Sequence, residues 1–235
     1  MNKLNIVVLQ HSENEGPGNI KTWANAHGYQ LNIYHPYGTS FLPSSEEIDF
    51  LIMLGGPMSV NDNTGWMKRE RELINKLYEN NIPILGICFG AQQIAKSFGS
   101  NVFKGSVKEV GWGPIYRKNG NLSNLPKEME VLHWHEETFE LPAESELLYS
   151  STHIENQAFI LNKNIIGLQF HLEAVSVDIA SMVTFDLDFI NNSIFKEQTP
   201  SKIFSKGKEN DNSKTLFSIL DFLVTTTKIE EDNHE

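Results

Sequence analysis

Apolar residues fall in short, dense blocks along the first hundred positions. Leu4 to Leu9, Phe50 to Leu54 and Ile84 to Ile87 are largely continuous apolar runs of strand length, as expected for strands buried on both faces. Tyr29 to Tyr34 alternates and predicts another strand. Between these runs the period changes. Ile20 to His27 and Met67 to Asn80 have helical spacing, the first closed by Gly28 as a C-cap, and Ile94, Ala95 and Phe98 continue it after the third run. Strands alternating with helices predict an α/β fold: an open, mostly parallel central sheet with helices on both faces. Ligands in such sheets sit at the carboxyl ends of the strands.

After Val102 the pattern shifts to short apolar stretches separated by Gly, Asn and Pro, which predicts a small antiparallel β region. Its candidate strands are Glu109 to Tyr116, Glu130 to His135, Glu146 to Ser151 and Gln157 to Leu161. Ile165 to His171 predicts a further core strand and Val177 to Ile190 a helix. Thr199 to Ser213 is polar and is expected to be an exposed loop. Lys214 to Val224 has helical spacing, and Ile229 to Glu235 is expected to be a frayed acidic tail. No repeat or linker interrupts the chain, so 1–235 is read as one domain, with a core of about 4–191 and a C-terminal extension, 199–228, carrying one helix.

Composition narrows the function. The 235 residues carry 30 acidic side chains against 19 Lys plus Arg, a net charge of -11, which argues against a nucleic-acid partner. The single cysteine excludes an internal disulfide. No apolar run is long enough for a membrane span, and the first residues lack a signal-peptide pattern. A cytoplasmic location is the expectation.

That cysteine, Cys88, stands where an apolar strand meets a helix, between Gly86 and Gly90. Small residues permit a sharp bend and close approach of a ligand. N–H dipoles at the start of the helix favour a thiolate, and the Phe89 N–H is available to an anion forming beside the sulfur. A lone cysteine is ordinarily a small buried hydrophobe, so the reading needs a base. His171 ends a core strand, and Glu173 is two positions on, on the same side of an extended chain. Imidazole takes the thiol proton and the carboxylate orients the ring. Gly55-Gly56-Pro57, after another strand, is either a tight turn or a source of oxyanion-binding N–H groups. His133 and His135 alternate and could share a face as metal ligands, but no Cys or carboxylate at recognisable spacing joins them, so no metal or other cofactor is expected.

Gly86-Ile87-Cys88-Phe89-Gly90-Ala91-Gln92, Gly55-Gly56-Pro57 and Gln169-Phe170-His171-Leu172-Glu173, in this order, resemble class I glutamine amidotransferases, and among them free-standing proteins similar to the glutaminase domain of GMP synthase. Glu109-Val110-Gly111-Trp112 and the segment from Leu132 to Phe139 add weaker matches. The resemblance implies a flavodoxin-like sheet and a cysteine-dependent glutaminase. In it Cys88 attacks the γ-carboxamide of glutamine, His171 is base and then acid, and Glu173 orients His171. It further implies an oxyanion hole at Gly56 and Phe89 and substrate contacts at Gln92, Gln157 and Phe159. Ala91 and Leu172 replace the His and Pro frequent in that family, without removing a reacting group. Nothing after Glu173 resembles a synthetase, which implies either a separate partner receiving ammonia or hydrolysis of a γ-glutamyl compound. A non-enzymatic binding or regulatory subunit is the remaining alternative.

Overall fold

The apolar runs form strands because each is covered on both faces. The computed structural model describes residues 4–39, 41–118, 122 and 124–231, with side chains through 225. In chain order the elements are β1 (Asn5–Leu9), α1 (Gly18–Ala26), β2 (Gln30–Tyr34), α2 (Pro36–Thr39), β3 (Phe50–Met53), α3 (Gly65–Glu79), β4 (Ile84–Ile87), α4 (Phe89–Ser97), β5 (Val102–Arg117), β6 (Glu128–Phe139), β7 (Glu146–Ser151), β8 (Ala158–Leu161), β9 (Ile165–Leu168), α5 (Ser176–Phe185), α6 (Leu187–Ile190), α7 (Pro200–Lys206) and α8 (Ser213–Glu231). The strands form one nine-stranded sheet in the order β2-β1-β3-β4-β9-β8-β7-β5-β6. β2, β1, β3, β4 and β9 run parallel, and the remainder is antiparallel.

Alternation along β1 sorts the core into two layers. Ile6 and Val8 pack with Trp23 of α1 and Leu216, Leu220 and Leu223 of α8, whereas Val7 and Leu9 pack with Leu73, Ile74 and Leu77 of α3 and Ile94 of α4. Such side chains contribute about 1.5–3 kcal/mol each when fully buried. The predicted α/β sheet with helices on both faces is therefore present.

The structure departs from the sequence reading in four places. The antiparallel region is not small: it continues the same sheet, and β5 spans 16 residues. Its first half escaped notice because a register shift between Lys104 and Glu109 breaks the alternation. The expected helix from Val177 to Ile190 is interrupted at Asp186, whose carboxylate accepts from Trp134 Nε1 at 3.1 Å. Thr199 to Ser213 is not all loop. Thr199 caps α7 by accepting from the Lys202 N–H, Pro200 opens the helix, and Ile203 is fully buried against Trp112, whose Nε1–H donates to the Ile203 carbonyl at 3.0 Å. The extension therefore carries two helices. Finally, α8 continues through Glu231, so the start of the expected frayed tail is helical and the rest lies outside the described residues. Among the described residues no helix is long and apolar enough to cross a membrane.

Candidate active site

Sheet order explains why distant motifs meet. β3, β4 and β9 are adjacent and parallel, and each ends at the same edge. Gly55-Gly56 follows β3, Cys88 follows β4 and His171 follows β9. The Cys88 N–H donates to the Leu168 carbonyl at 2.7 Å, pinning the bend to the end of β9.

Cys88 adopts φ 50° and ψ -108°, outside the regions that L-residues ordinarily occupy. Close packing holds it there. A Cβ added to Gly86 would come within 2.7 Å of the Gly90 backbone, and one added to Gly90 would overlap the Met53 carbonyl oxygen of β3. Phe89 opens α4, so its N–H is among those left without an intrahelical acceptor. Cys88 Sγ sits 3.8 Å from the Trp134 carbonyl oxygen and 3.7 Å from Gln169 Nε2.

His171 Nδ1 lies 2.6 Å from Glu173 Oε1, and both residues are buried. Burial alone would lower the imidazole, but the Glu173 carboxylate and the facing Cys88 sulfur outweigh it and hold His171 well above the ordinary histidine value. Its Nε2 has no aligned hydrogen-bond partner, which leaves that atom available for proton exchange with the thiol.

Cys88 borders a cavity of about 420 Å3 that is also lined by Gly56, Gln92, Trp134, Glu137 and Asp186, among others. At 7% exposure, Cys88 reaches this space. Gln92 donates to Gln169 Oε1 at 3.1 Å. Gln157 and Phe159 are not brought to the cavity. Gln157 is buried, with Nε2 donating to Glu109 Oε2 at 2.6 Å, and Phe159 packs edge-on against Phe139 in the core. The backbone around them is committed as well, because β8 is paired with β7 on one side and β9 on the other.

Several residues at the site went unread in the sequence. Glu15, in the loop after β1, approaches so closely that a Cβ on Gly55 would overlap its Oε2 and lie 3.0 Å from His171 Cε1. Burial pushes the Glu15 carboxyl from 4.5 up to about 7, with His171 opposing and Glu173 and Asp186 adding to the rise. His11 is fully buried beneath the elbow, its ring 4.7 Å from that of Phe89 and its Nε2 3.0 Å from Glu70 Oε1. The rule that parallel strands present their chemistry at their carboxyl ends would have flagged both Glu15 and His11.

A thiol on a strained elbow, an imidazole–carboxylate pair and an open cavity meet at one edge of a parallel sheet, an arrangement that could support nucleophilic chemistry at a cysteine. More particularly, the chain belongs to the class-I glutamine amidotransferases, whose family model matches residues 18–188. It is similar to the glutamine amidotransferase-like protein YfeJ of Salmonella typhimurium, with 27% identity over 174 residues covering 69% of this chain and 73% of that protein. It is also similar to the glutamine-hydrolysing GMP synthase of Campylobacter lari, with 35% identity over 130 residues covering 52% of this chain and 24% of that enzyme. The chain thus spans about a quarter of the length of that synthase. Among solved structures, a glutamine amidotransferase from Thermotoga maritima superposes with a TM-score of 0.86 at 25% identity, covering 95% of this chain and 99% of that one.

Proposed function

We propose that this protein hydrolyses the γ-carboxamide of glutamine through a γ-glutamyl thioester on Cys88. His171 Nε2 takes the thiol proton as sulfur attacks the carbonyl carbon. The N–H groups of Gly56 and Phe89 receive the oxyanion, and His171 returns the proton to the departing ammonia. Water, deprotonated by the same imidazole, then cleaves the thioester to glutamate and restores the thiol. Glu173 holds the ring and its charge, and Gln92 contacts the substrate. The observation that carries this reading is the thiol on its strained elbow, beside a charge-supported imidazole and bordering an open cavity. The decisive experiment is mass spectrometry of protein quenched during turnover. A γ-glutamyl adduct on Cys88 is expected, and turnover of glutamine without any cysteine adduct would reject the mechanism.

The lining favours a second reading of the leaving group. Glu15, Glu136, Glu137 and Asp186 border the cavity with a single ammonium, Lys104, which is already 2.6 Å from Glu136. Excess negative charge suits a cationic amine, so γ-glutamyl amines belong beside glutamine in the substrate panel. A higher kcat/KM for glutamine than for every γ-glutamyl amine would exclude them. The similarity to GMP synthases suggests a separate synthetase as the receiver of ammonia from this chain.

Glu15 makes the reaction sensitive to pH near neutrality. Its ionised form supports the neighbouring imidazolium, so kcat/KM is expected to fall about tenfold from about pH 8 to about pH 6, as a single group with a value near 7 requires. Glu15→Gln should remove that step. Stability moves the other way. A carboxyl raised on folding is more protonated in the folded chain between 4.5 and about 7, so its contribution is lost as pH rises through that window. Glu15→Gln should therefore melt higher than wild type at about pH 8, by an amount on the order of 1–2 kcal/mol. A pH–rate profile unchanged by the substitution would contradict this role.

A further inference from the structure

The β5–β6 pair buries a second cluster of ionisable groups, which the Cys88 chemistry does not use. His133 and His135 are alternate residues of β6, and Glu109, the first residue of β5 back in register after the bulge, stands directly opposite His135. All three are buried. Glu109 Oε2 lies 3.2 Å from His135 Nε2 and 3.5 Å from His133 Nδ1.

Hydrogen bonding fixes what each atom can offer. His135 Nδ1 is 3.1 Å from the Glu137 carbonyl oxygen, which can only accept, so Nδ1 carries the proton. In a neutral ring Nε2 is then a lone pair, and it faces a carboxylate oxygen. Glu109 is itself held in place, Oε1 accepting from the Ser151 hydroxyl at 2.7 Å and Oε2 from Gln157 Nε2 at 2.6 Å. Neither imidazole contact aligns as a hydrogen bond, and neither ring nitrogen of His133 has an aligned hydrogen-bond partner. A lone pair on His135 Nε2 and a carboxylate oxygen this close repel one another unless positive charge stands between them.

We propose that Glu109, His133 and His135 form a binding site for a divalent first-row transition-metal ion, with Zn2+ the best match to two imidazole nitrogens and one carboxylate oxygen. The two separations from Glu109, 3.2 and 3.5 Å, match the about 3.3 Å that bonds of about 2.0–2.1 Å place between tetrahedral ligands, and all three ligand atoms lie within 4.8 Å of one another. The outer hydrogen bonds fit too: a carbonyl on the far nitrogen of His135, and a hydroxyl and an amide on the carboxylate, are the partners that orient metal ligands. His135 also lines the cavity that holds Cys88, which gives an ion a route in. Once bound, the ion ties β5 to β6 beside Trp134, whose carbonyl oxygen contacts the Cys88 sulfur.

The test uses Cys88→Ala protein, so that the thiol cannot supply a ligand. After dialysis against a chelator, calorimetric titration with Zn2+ and visible absorption with Co2+ should each report one equivalent per chain. Glu109→Gln and His133→Gln, each in the same background, should weaken uptake at least about 100-fold, at or beyond the top of the range seen for losing only an outer partner. The proposal fails if the Cys88→Ala protein takes up no ion, or takes it up equally well after both substitutions. If those substitutions unfold the chain, imidazole 15N NMR on the Cys88→Ala protein still decides. A His135 ring doubly protonated and indifferent to Zn2+ is an ion pair with Glu109 and overturns the site, whereas Zn2+-dependent shifts at His135 Nε2 and His133 Nδ1 support it.

Discussion

Glu173→Gln is expected to leave the fold intact and to lower glutamine turnover by about 10^3–10^4-fold, comparable with loss of the orienting carboxylate in serine proteases. The carboxylate does two things at 2.6 Å from His171 Nδ1. It outweighs the burial that would otherwise lower the imidazole, and it accepts a hydrogen bond from Nδ1–H, so that Nε2 is the nitrogen that exchanges its proton with Cys88. A glutamine amide removes the first effect. It also reverses the second whenever its NH2 group donates to Nδ1, because the ring proton then moves to Nε2, where it blocks proton transfer from the thiol. Glu173→Asp keeps the charge at a longer reach and should recover part of the rate. Cys88→Ala, by contrast, removes the proposed nucleophile, and no γ-glutamyl adduct is expected. Ammonia release, thermal melting and the pH dependence of Cys88 alkylation separate these variants. A Glu173→Gln protein that retains kcat within tenfold of wild type would mean that the carboxylate does not orient a catalytic His171.

The parallel half of the sheet was legible because its strands are buried on both faces and therefore appear as unbroken apolar runs. Cys88 was legible because Gly86 and Gly90 bracket it, though the glycines matter less for bending than for letting α4 touch β3 and β4. The pairing of Cys88 with His171 follows from β4 and β9 being neighbours, a relation between strands far apart in the chain that only the ordered motifs could suggest. What was missed depends on contacts across strands or within loops. Glu109 joins His133 and His135 through the β5–β6 register, so the carboxylate that accompanies the two histidines in space stands at no linear ligand spacing in the sequence. Gln157 and Phe159 look like site residues in a linear motif, yet the Gln157 N–H donates to the Tyr149 carbonyl, Phe159 lies in a strand paired on both edges, and their side chains serve the Glu109 network and the core. α7 was hidden by its polar composition, although Thr199-Pro200 is a cap followed by a first-turn proline.

Gly90→Ala is expected to be among the most damaging single-methyl additions in the molecule. Helix propensity points the other way, since alanine in a helix is favoured over glycine by about 1 kcal/mol. Sterics decide the sign. The new methyl would overlap the Met53 carbonyl oxygen and lie 2.8 Å from the Met53 carbonyl carbon. That backbone has no room to yield, because β3 is paired with β1 on one side and β4 on the other. Relief requires α4 to lift away from the sheet, which moves Cys88 and Phe89 together. The expected loss is about 3 kcal/mol, which for a chain of this size is a fall in Tm of about 6–12 °C. Turnover should drop even well below the melting point, because the thiol leaves His171. Gly65→Ala is the matched control. It also lies in a helix, but its methyl would meet only the Arg69 guanidinium at 3.5 Å, so propensity should prevail and Tm should hold or rise slightly. If the two variants melt within about a degree of each other, close contact between helix and sheet is not what holds the elbow in its strained conformation.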